Sequence, residues 1–117
     1  MKIKVGELFT AFEAASVLRR EKMPLRAASW LVLLIKKLST SYDLVVEKRN
    51  EIIRKYCEEG KNKVAVEKMD DYLKEVTPFL KEEVEVDAVK VGVSIFENVP
   101  ISADSLIALE HFLDDAT

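Results

Sequence analysis

The hydrophobic positions of the chain fall mostly at helical spacing, and the longest such stretch lies in its centre. From Leu25 to Glu59 there is no proline or glycine, and apolar residues recur every three or four positions. We expect this helix to begin after Pro24 and to end before Gly60. Its heptad stripe, which is apolar except for one arginine, consists of Leu31, Ile35, Leu38, Tyr42, Val45, Arg49, Ile52 and Tyr56.

One point in the long helix is ambiguous. The segment Ser39 to Ser41 contains three poor helix formers that could cap a second helix, but the heptad phase passes through it without a skip, which favours one helix. An unbroken helix of this length would measure about 52 Å, whereas a compact chain of this size has a diameter of roughly 35 Å. Either the helix breaks at this segment, or a partner subunit covers part of it.

The N-terminal part predicts a short strand followed by a helix. Residues Lys2 to Val5 alternate as in a strand, and helical spacing begins at Gly6. This helix should end near Lys22, because Met23 precedes a proline and so avoids the α conformation.

The part after the long helix predicts shorter elements. Residues Lys63 to Val66 suit a short strand or an extended lead-in, and a helix starting near Met69 should kink or restart at Pro78, with Thr77 as a possible cap.

Next, the segment Val84 to Ile95 alternates with a phase change at Asp87 and Ala88, which indicates two short strands. A last helix should run from Ala103 to Leu113 with Ser102 as its cap. The expected fold is mainly α (α+β). In it, a long central helix packs with two or three shorter helices and a small antiparallel β-sheet or hairpin, in a single domain of residues 1–117.

Composition places the chain among globular proteins. Of its 117 residues, 49% are hydrophobic and 33% are charged. The longest apolar run, from Ala27 to Ile35, is far shorter than the roughly 20 residues of a membrane span. The first residues do not resemble a secretory signal, so we expect a cytoplasmic location and no membrane partner.

Charge is distributed unevenly along the chain. Residues 1–63 contain 14 Lys and Arg against 8 Asp and Glu, whereas residues 64–117 contain 4 against 13. This polarity indicates nucleic-acid binding by the basic part, a basic-to-acidic contact between subunits, or two halves that neutralise each other on folding.

Catalytic chemistry finds little support in the sequence. The single cysteine, Cys57, suits a small hydrophobic side chain, and the single histidine, His111, suits a structural or surface role. Three glycines do not form a phosphate-binding loop, and the adjacent carboxylates point in different directions on their helices. We therefore expect no enzyme, no cofactor and no metal.

Two basic clusters make a nucleic-acid partner possible but not favoured, because no recognised binding motif accompanies them and the calculated pI is about 5.3. The candidate basic surface consists of Arg19, Arg20, Arg26, Lys48, Arg54 and Lys55.

The stretches VEKRNEIIRKYCEEG and EVEVDAVKVGVSIFENVPISADSLIALEHFL resemble a group of small uncharacterised proteins encoded by bacteriophages and prophages. The resemblance covers most residues from Leu31 to Leu113, and Arg49 and Asn50 lie in its more distinctive part. It implies a phage accessory protein without known catalytic residues. His111 stands where a proline is common in the group.

These observations favour a non-enzymatic protein that acts through protein-protein interaction as a homo-oligomer, with a host or phage protein as a possible partner. The alternatives are an inhibitor of a host defence or nuclease system and a nucleic-acid or nucleotide-binding module. The candidate structural or interaction residues are Arg49, Asn50, Tyr42 and Tyr56. For Arg49, three roles are open: a register-setting residue between helices, a buried cation paired with a carboxylate of the C-terminal half, or a side chain whose head reaches solvent.

Overall fold

The computed structural model describes residues 1–57, 63–88 and 90–114. The helices in these ranges are α1 (Val5–Leu18), α2 (Leu25–Tyr56), α3 (Met69–Lys81) and α4 (Ala103–Ala108). The strands are β1 (Lys2–Lys4), β2 (Glu83–Glu85), β3 (Val91–Gly92) and β4 (Leu113–Asp114). Three 3₁₀ turns span Val66–Lys68, Val93–Phe96 and Glu110–Phe112.

The long helix α2 is continuous through the ambiguous serine segment. The Ser39 hydroxyl donates a 2.7 Å hydrogen bond to the Ile35 carbonyl one turn earlier, and the Ser41 hydroxyl donates a 3.2 Å bond to the Glu85 carbonyl. Because both hydroxyls find partners without disturbing the helix, no break is needed. The helix ends at Tyr56, where Cys57 becomes extended and bridges Val64. The expected end at Glu59 and Gly60 lies outside the described residues.

The heptad stripe of α2 is used within the chain. Leu31, Leu38, Val45 and Ile52 are nearly fully buried in the core that α1 and α3 share with α2. Burying four such side chains contributes roughly 1.5–3 kcal/mol each relative to exposure. The stripe therefore does not remain available as a seam for another subunit.

The N-terminal elements follow the prediction with shifted boundaries. Strand β1 pairs antiparallel with β2, with Ile3 opposite Val84, and α1 begins at Val5. It ends at Leu18 rather than near Lys22, because the backbone N–H groups of Arg20 and Glu21 bond to carbonyls three residues earlier, which closes a turn instead of continuing the α-helix.

The helix that contains Pro78 does not restart there, contrary to one of the two outcomes expected from the sequence. Helix α3 continues from Met69 to Lys81, and Thr77 lies inside it rather than at a cap. Proline removes one backbone hydrogen bond, but Val76 and Phe79 on either side are only 5% and 4% exposed. Burial of this face outweighs the missing bond.

The two short strands after α3 are present, but they do not form a hairpin. Strand β2 pairs with β1, whereas β3 pairs in parallel with β4 through Val91 and Leu113. The expected strand continuation to Ile95 is wrong, because residues 93–96 form a 3₁₀ turn that buries Phe96. Val89, part of the same expectation, lies outside the described residues.

The last helix is shorter than expected. Ser102 caps α4 as predicted, since its hydroxyl accepts a 3.1 Å hydrogen bond from the Ser105 backbone N–H. Helix α4 stops at Ala108 instead of Leu113, because the chain tightens into a 3₁₀ turn that places Leu109 and Phe112 in the core, both 0% exposed.

The molecule is elongated along α2, with extents of 49 × 26 × 22 Å. Its radius of gyration of 16.5 Å exceeds the roughly 13 Å typical of a compact chain of this length. The predicted fold class is confirmed: the protein is mainly α, with a long helix, shorter helices packed on it and a small antiparallel sheet.

Candidate functional site

Arg49 stacks on an aromatic ring of α1. Its guanidinium carbon lies 4.8 Å from the centre of the Phe9 ring, within the range of a cation–π interaction. No carboxylate of the described residues forms an ion pair with it, and its Nε is buried without a hydrogen-bond partner. Of the three roles that the sequence left open for Arg49, pairing with a carboxylate of the C-terminal half is therefore not found among the described residues, and an aromatic ring lies beside the guanidinium instead.

Tyr42 continues this contact between α1 and α2. Its ring stacks on Phe12 at a centroid distance of 4.0 Å and meets Phe9 edge-on at 5.7 Å. Arg49, Phe9, Tyr42 and Phe12 thus form one connected row between α1 and α2, which we call the aromatic row.

Tyr56 belongs to a second contact, between the end of α2 and α3. Its ring lies edge-on to Tyr72, and the neighbouring Glu75 carboxylate raises the pKa of its hydroxyl. Lys55 donates a 2.6 Å hydrogen bond to Glu75, which lowers the pKa of Glu75 and raises the pKa of Lys55. These side chains therefore contribute to the packing of α2 against α3.

The basic residues do not form one surface. Arg26 and Lys48 are separated by about 33 Å along α2 at 1.5 Å per residue. Lys48 forms a 3.3 Å ion pair with Glu82, in addition to the Lys55 pair. Arg19, Arg20, Arg26 and Arg54 are exposed. Phosphate binding needs several cations on one face, so this arrangement gives nucleic-acid binding no support.

Asn50 is half-buried beside Arg54. Together with Ile53 and Cys57 these residues line a pocket of about 310 Å³ on the surface of α2. Asn50 makes no side-chain hydrogen bond to another described residue, so the structure does not join it to the aromatic row.

The side of α2 opposite the core carries four exposed aliphatic side chains, which are separated along the helix by polar residues such as Lys36 and Asp43. We define the α2 apolar face as Leu25, Val32, Leu33 and Leu44, which are 82%, 49%, 57% and 68% exposed. At 100° per residue these four side chains fall within a sector of about 120°. Leu33 also borders a pocket of about 200 Å³ with Trp30, Leu34 and the loop at Asp87 and Ala88.

The heptad pattern did not reveal these four exposed aliphatic side chains. The signal was present: Val32, Leu33 and Leu44 are apolar but lie off the stripe, so they have no place in a core built on it. Position around the helix is the signal: Val32, Leu33 and Leu44 lie on the side away from the stripe, whereas Leu34, which is also outside the stripe, lies next to it and is buried.

No family model, curated protein or solved structure matches the chain. Within the described ranges, no helix has the length and apolar character required to cross a membrane. The same residues contain no group of three His, Cys, Asp or Glu side chains that could hold a metal ion.

Proposed function

We propose that the protein is a small, non-enzymatic interaction protein that forms a homodimer through the α2 apolar face. The observation that carries this proposal is the exposure of four large aliphatic side chains on a helix whose other side is already buried. Large aliphatic side chains repeated on one helix face supply apolar area that a second copy would remove from water.

The order of residues on α2 fits a second copy in antiparallel orientation. If the two-fold axis crosses the exposed side of α2 at the level midway between residues 38 and 39, Leu33 of each copy lies opposite Leu44 of the other. A two-fold contact of this kind uses the same surface twice and is the commonest form of self-association.

Charge along the same face supports this orientation. Lys36 and Asp43 are exposed and form no ion pair within the described residues. In the antiparallel dimer, Lys36 of each copy lies beside Asp43 of the other. A parallel dimer would instead place like charges together, which is unfavourable.

Sedimentation equilibrium tests this proposal directly. The wild-type chain should give twice its 13.3 kDa mass, and the double variant Leu33→Lys/Leu44→Lys should give a monomer. The control Val66→Lys/Leu73→Lys, which changes two exposed apolar residues outside the face, should remain a dimer. A wild-type monomer at every soluble concentration would refute the proposal.

A charge exchange tests the orientation. Lys36→Asp should weaken the dimer, because it sets two acidic groups together, and Lys36→Asp/Asp43→Lys should restore it. If the exchanged variant is as weak as the single one, the copies are not antiparallel at this register.

The cellular role that we propose is that of a phage-type accessory protein in the host cytoplasm, supported by the resemblance of the Arg49-Asn50 segment and the C-terminal stretch. The alternatives of a host-defence or nuclease inhibitor and of a nucleic-acid-binding module stay predictions.

A further inference from the structure

A groove with an acidic rim runs between α1 and the segment that contains α4 and the turn after it. It consists of a cavity of about 440 Å³ and an adjoining cavity of about 220 Å³, which share Thr10, Asp104 and Ala108. The remaining lining residues are Gly6, Glu7, Glu13, Ala14, Val17, Ser105, Ile107, Glu110 and His111. None of them belongs to the α2 apolar face.

The groove exists because α1 has two different faces. One face is buried in the core and includes Leu8 and Ala15, both 0% exposed. The other carries Thr10 and Ala14, whose small side chains leave a channel against α4. Gly6 lies at the end of this channel, where a Cβ would stand 3.4 Å from the Leu80 carbonyl oxygen of α3. From Gly6 to Val17 the channel is about 16 Å long, which equals three helical turns.

The floor of the groove is apolar, and each of its two edges carries one apolar side chain. Ala14 and Ala108 are half-buried within it, while Val17 and Ile107 stand at its edges with 58% and 64% of their surface exposed. A channel of this kind accepts the apolar face of an amphipathic helix.

The rim carries four carboxylates and no lysine or arginine. Glu7 is held in place: it accepts a 2.9 Å hydrogen bond from the Lys4 backbone N–H and pairs with His111. The carboxylates of Glu13, Asp104 and Glu110 form no ion pair or hydrogen bond with any described residue. Three negative charges around an apolar channel are therefore unneutralised.

We propose that this groove binds a basic amphipathic helix of about three turns from a partner protein. The apolar side of that helix would lie against Ala14, Ala108 and Ile107, and its lysine or arginine side chains would reach Glu13, Asp104 and Glu110. Nucleic acid does not fit the groove, because its phosphates would meet the carboxylates. This proposal does not depend on dimer formation through α2.

Fluorescence anisotropy with designed peptides of about twelve residues provides the test. The first peptide is helical with leucine on one face and lysine elsewhere. The second has glutamate in place of lysine, and the third has the composition of the first in an order without an apolar face. The first should bind the protein, more weakly as salt increases, and the other two should not. Equal binding of the first and third peptides would overturn the proposal.

Variants locate the binding. Glu13→Lys/Asp104→Lys should weaken the first peptide about tenfold, because two attractions become repulsions. The control Glu51→Lys/Glu67→Lys makes the same change in net charge at exposed positions outside the groove, and it should change the affinity less than twofold. An equal loss in both would show general charge attraction and would overturn the proposal.

The apolar part is tested by Ile107→Ser, which should weaken the same peptide, with Val66→Ser as the control for an exposed apolar residue elsewhere. Circular dichroism of each variant checks that the fold is kept.

A second copy of the chain is the other occupant that the groove could take. If Glu13→Lys/Asp104→Lys lowers the sedimentation mass without peptide while Leu33→Lys/Leu44→Lys does not, the groove is a self-association site. That result overturns both the assignment of a partner protein to the groove and the dimer through α2. If only the α2 variant lowers the mass, the two proposals stand separately.

Discussion

Replacing Arg49 by methionine tests whether the cation on the heptad stripe serves the register between α1 and α2. The change removes the guanidinium and keeps a long apolar side chain in the space. At 4.8 Å from the Phe9 centroid and half-buried, the cation–π contact should contribute about 1 kcal/mol, between the values for exposed and desolvated pairs.

The single variant alone does not measure this contact. Its loss of about 1 kcal/mol is partly offset, because methionine also removes a buried guanidinium Nε that has no hydrogen-bond partner among the described residues. We therefore expect Arg49→Met to change the free energy of unfolding by less than about 1 kcal/mol.

A double-mutant cycle separates the two effects. Arg49→Met, Phe9→Leu and the combination are unfolded in urea and followed by far-ultraviolet circular dichroism and by Trp30 fluorescence, whose coincidence checks two-state behaviour. The coupling energy should be about 1 kcal/mol. The matched cycle of Arg54→Met with Phe9→Leu should be additive, because Arg54 is exposed and makes no contact with that ring.

Two results would contradict a stabilising contact between Arg49 and Phe9 within one chain. A coupling energy for Arg49 and Phe9 no larger than that of the Arg54 control would mean that the stack contributes nothing, and the side chain then only covers apolar surface with its methylenes. A change in sedimentation mass on Arg49→Met would mean that the cation acts between subunits rather than between α1 and α2.

Two further predictions concern helix ends. Glu7→Gln should destabilise the protein by at most about 1 kcal/mol at neutral pH, since the carboxylate is one-third exposed. The hydrogen bond from the Lys4 backbone N–H holds the pKa of Glu7 in the folded protein below its ordinary 4.5. The Glu7 carboxylate therefore stabilises the fold fully above pH 4.5, and this stabilisation is lost as pH falls through the lowered pKa of the folded protein. Urea titrations from neutral to acid pH should show the wild type and variant converging; a constant difference would contradict this. Ser102→Ala should cost about 1 kcal/mol in urea unfolding by removing the cap on Ser105, while Ser102→Gly should cost less, and an unchanged midpoint for Ser102→Ala would show that the cap contributes nothing.

The elements that local sequence controls were predictable. The long helix follows from unbroken 3.6-residue spacing over α2, and the Ser102 cap follows from a hydroxyl placed just before an apolar helical run. Both depend on residues within a few positions of one another, so the sequence carries them directly.

The misplaced boundaries depend on distant packing. Pro78 stays inside α3 because Val76 and Phe79 are buried, and α4 tightens early because Phe112 enters the core. The parallel pairing of β3 with β4 joins segments about 20 residues apart, and no pattern in the sequence of either strand indicates that the two strands pair. The burial and strand pairing that set these boundaries involve residues far apart in the sequence, which meet only in the folded chain.

The candidate sites likewise combine features that follow from local sequence with features that follow from the packing of distant segments. Spacing along one helix is enough to predict that α2 is long, that one of its faces is core and that Arg49 is an exception on that face. The contact of Arg49 with Phe9 and the exposure of Leu33 and Leu44 depend instead on how the helices pack. The same packing brings Glu13 of α1 and Asp104 of α4 to one groove. Which side chains meet, and which face remains uncovered, depends on how helices pack in three dimensions.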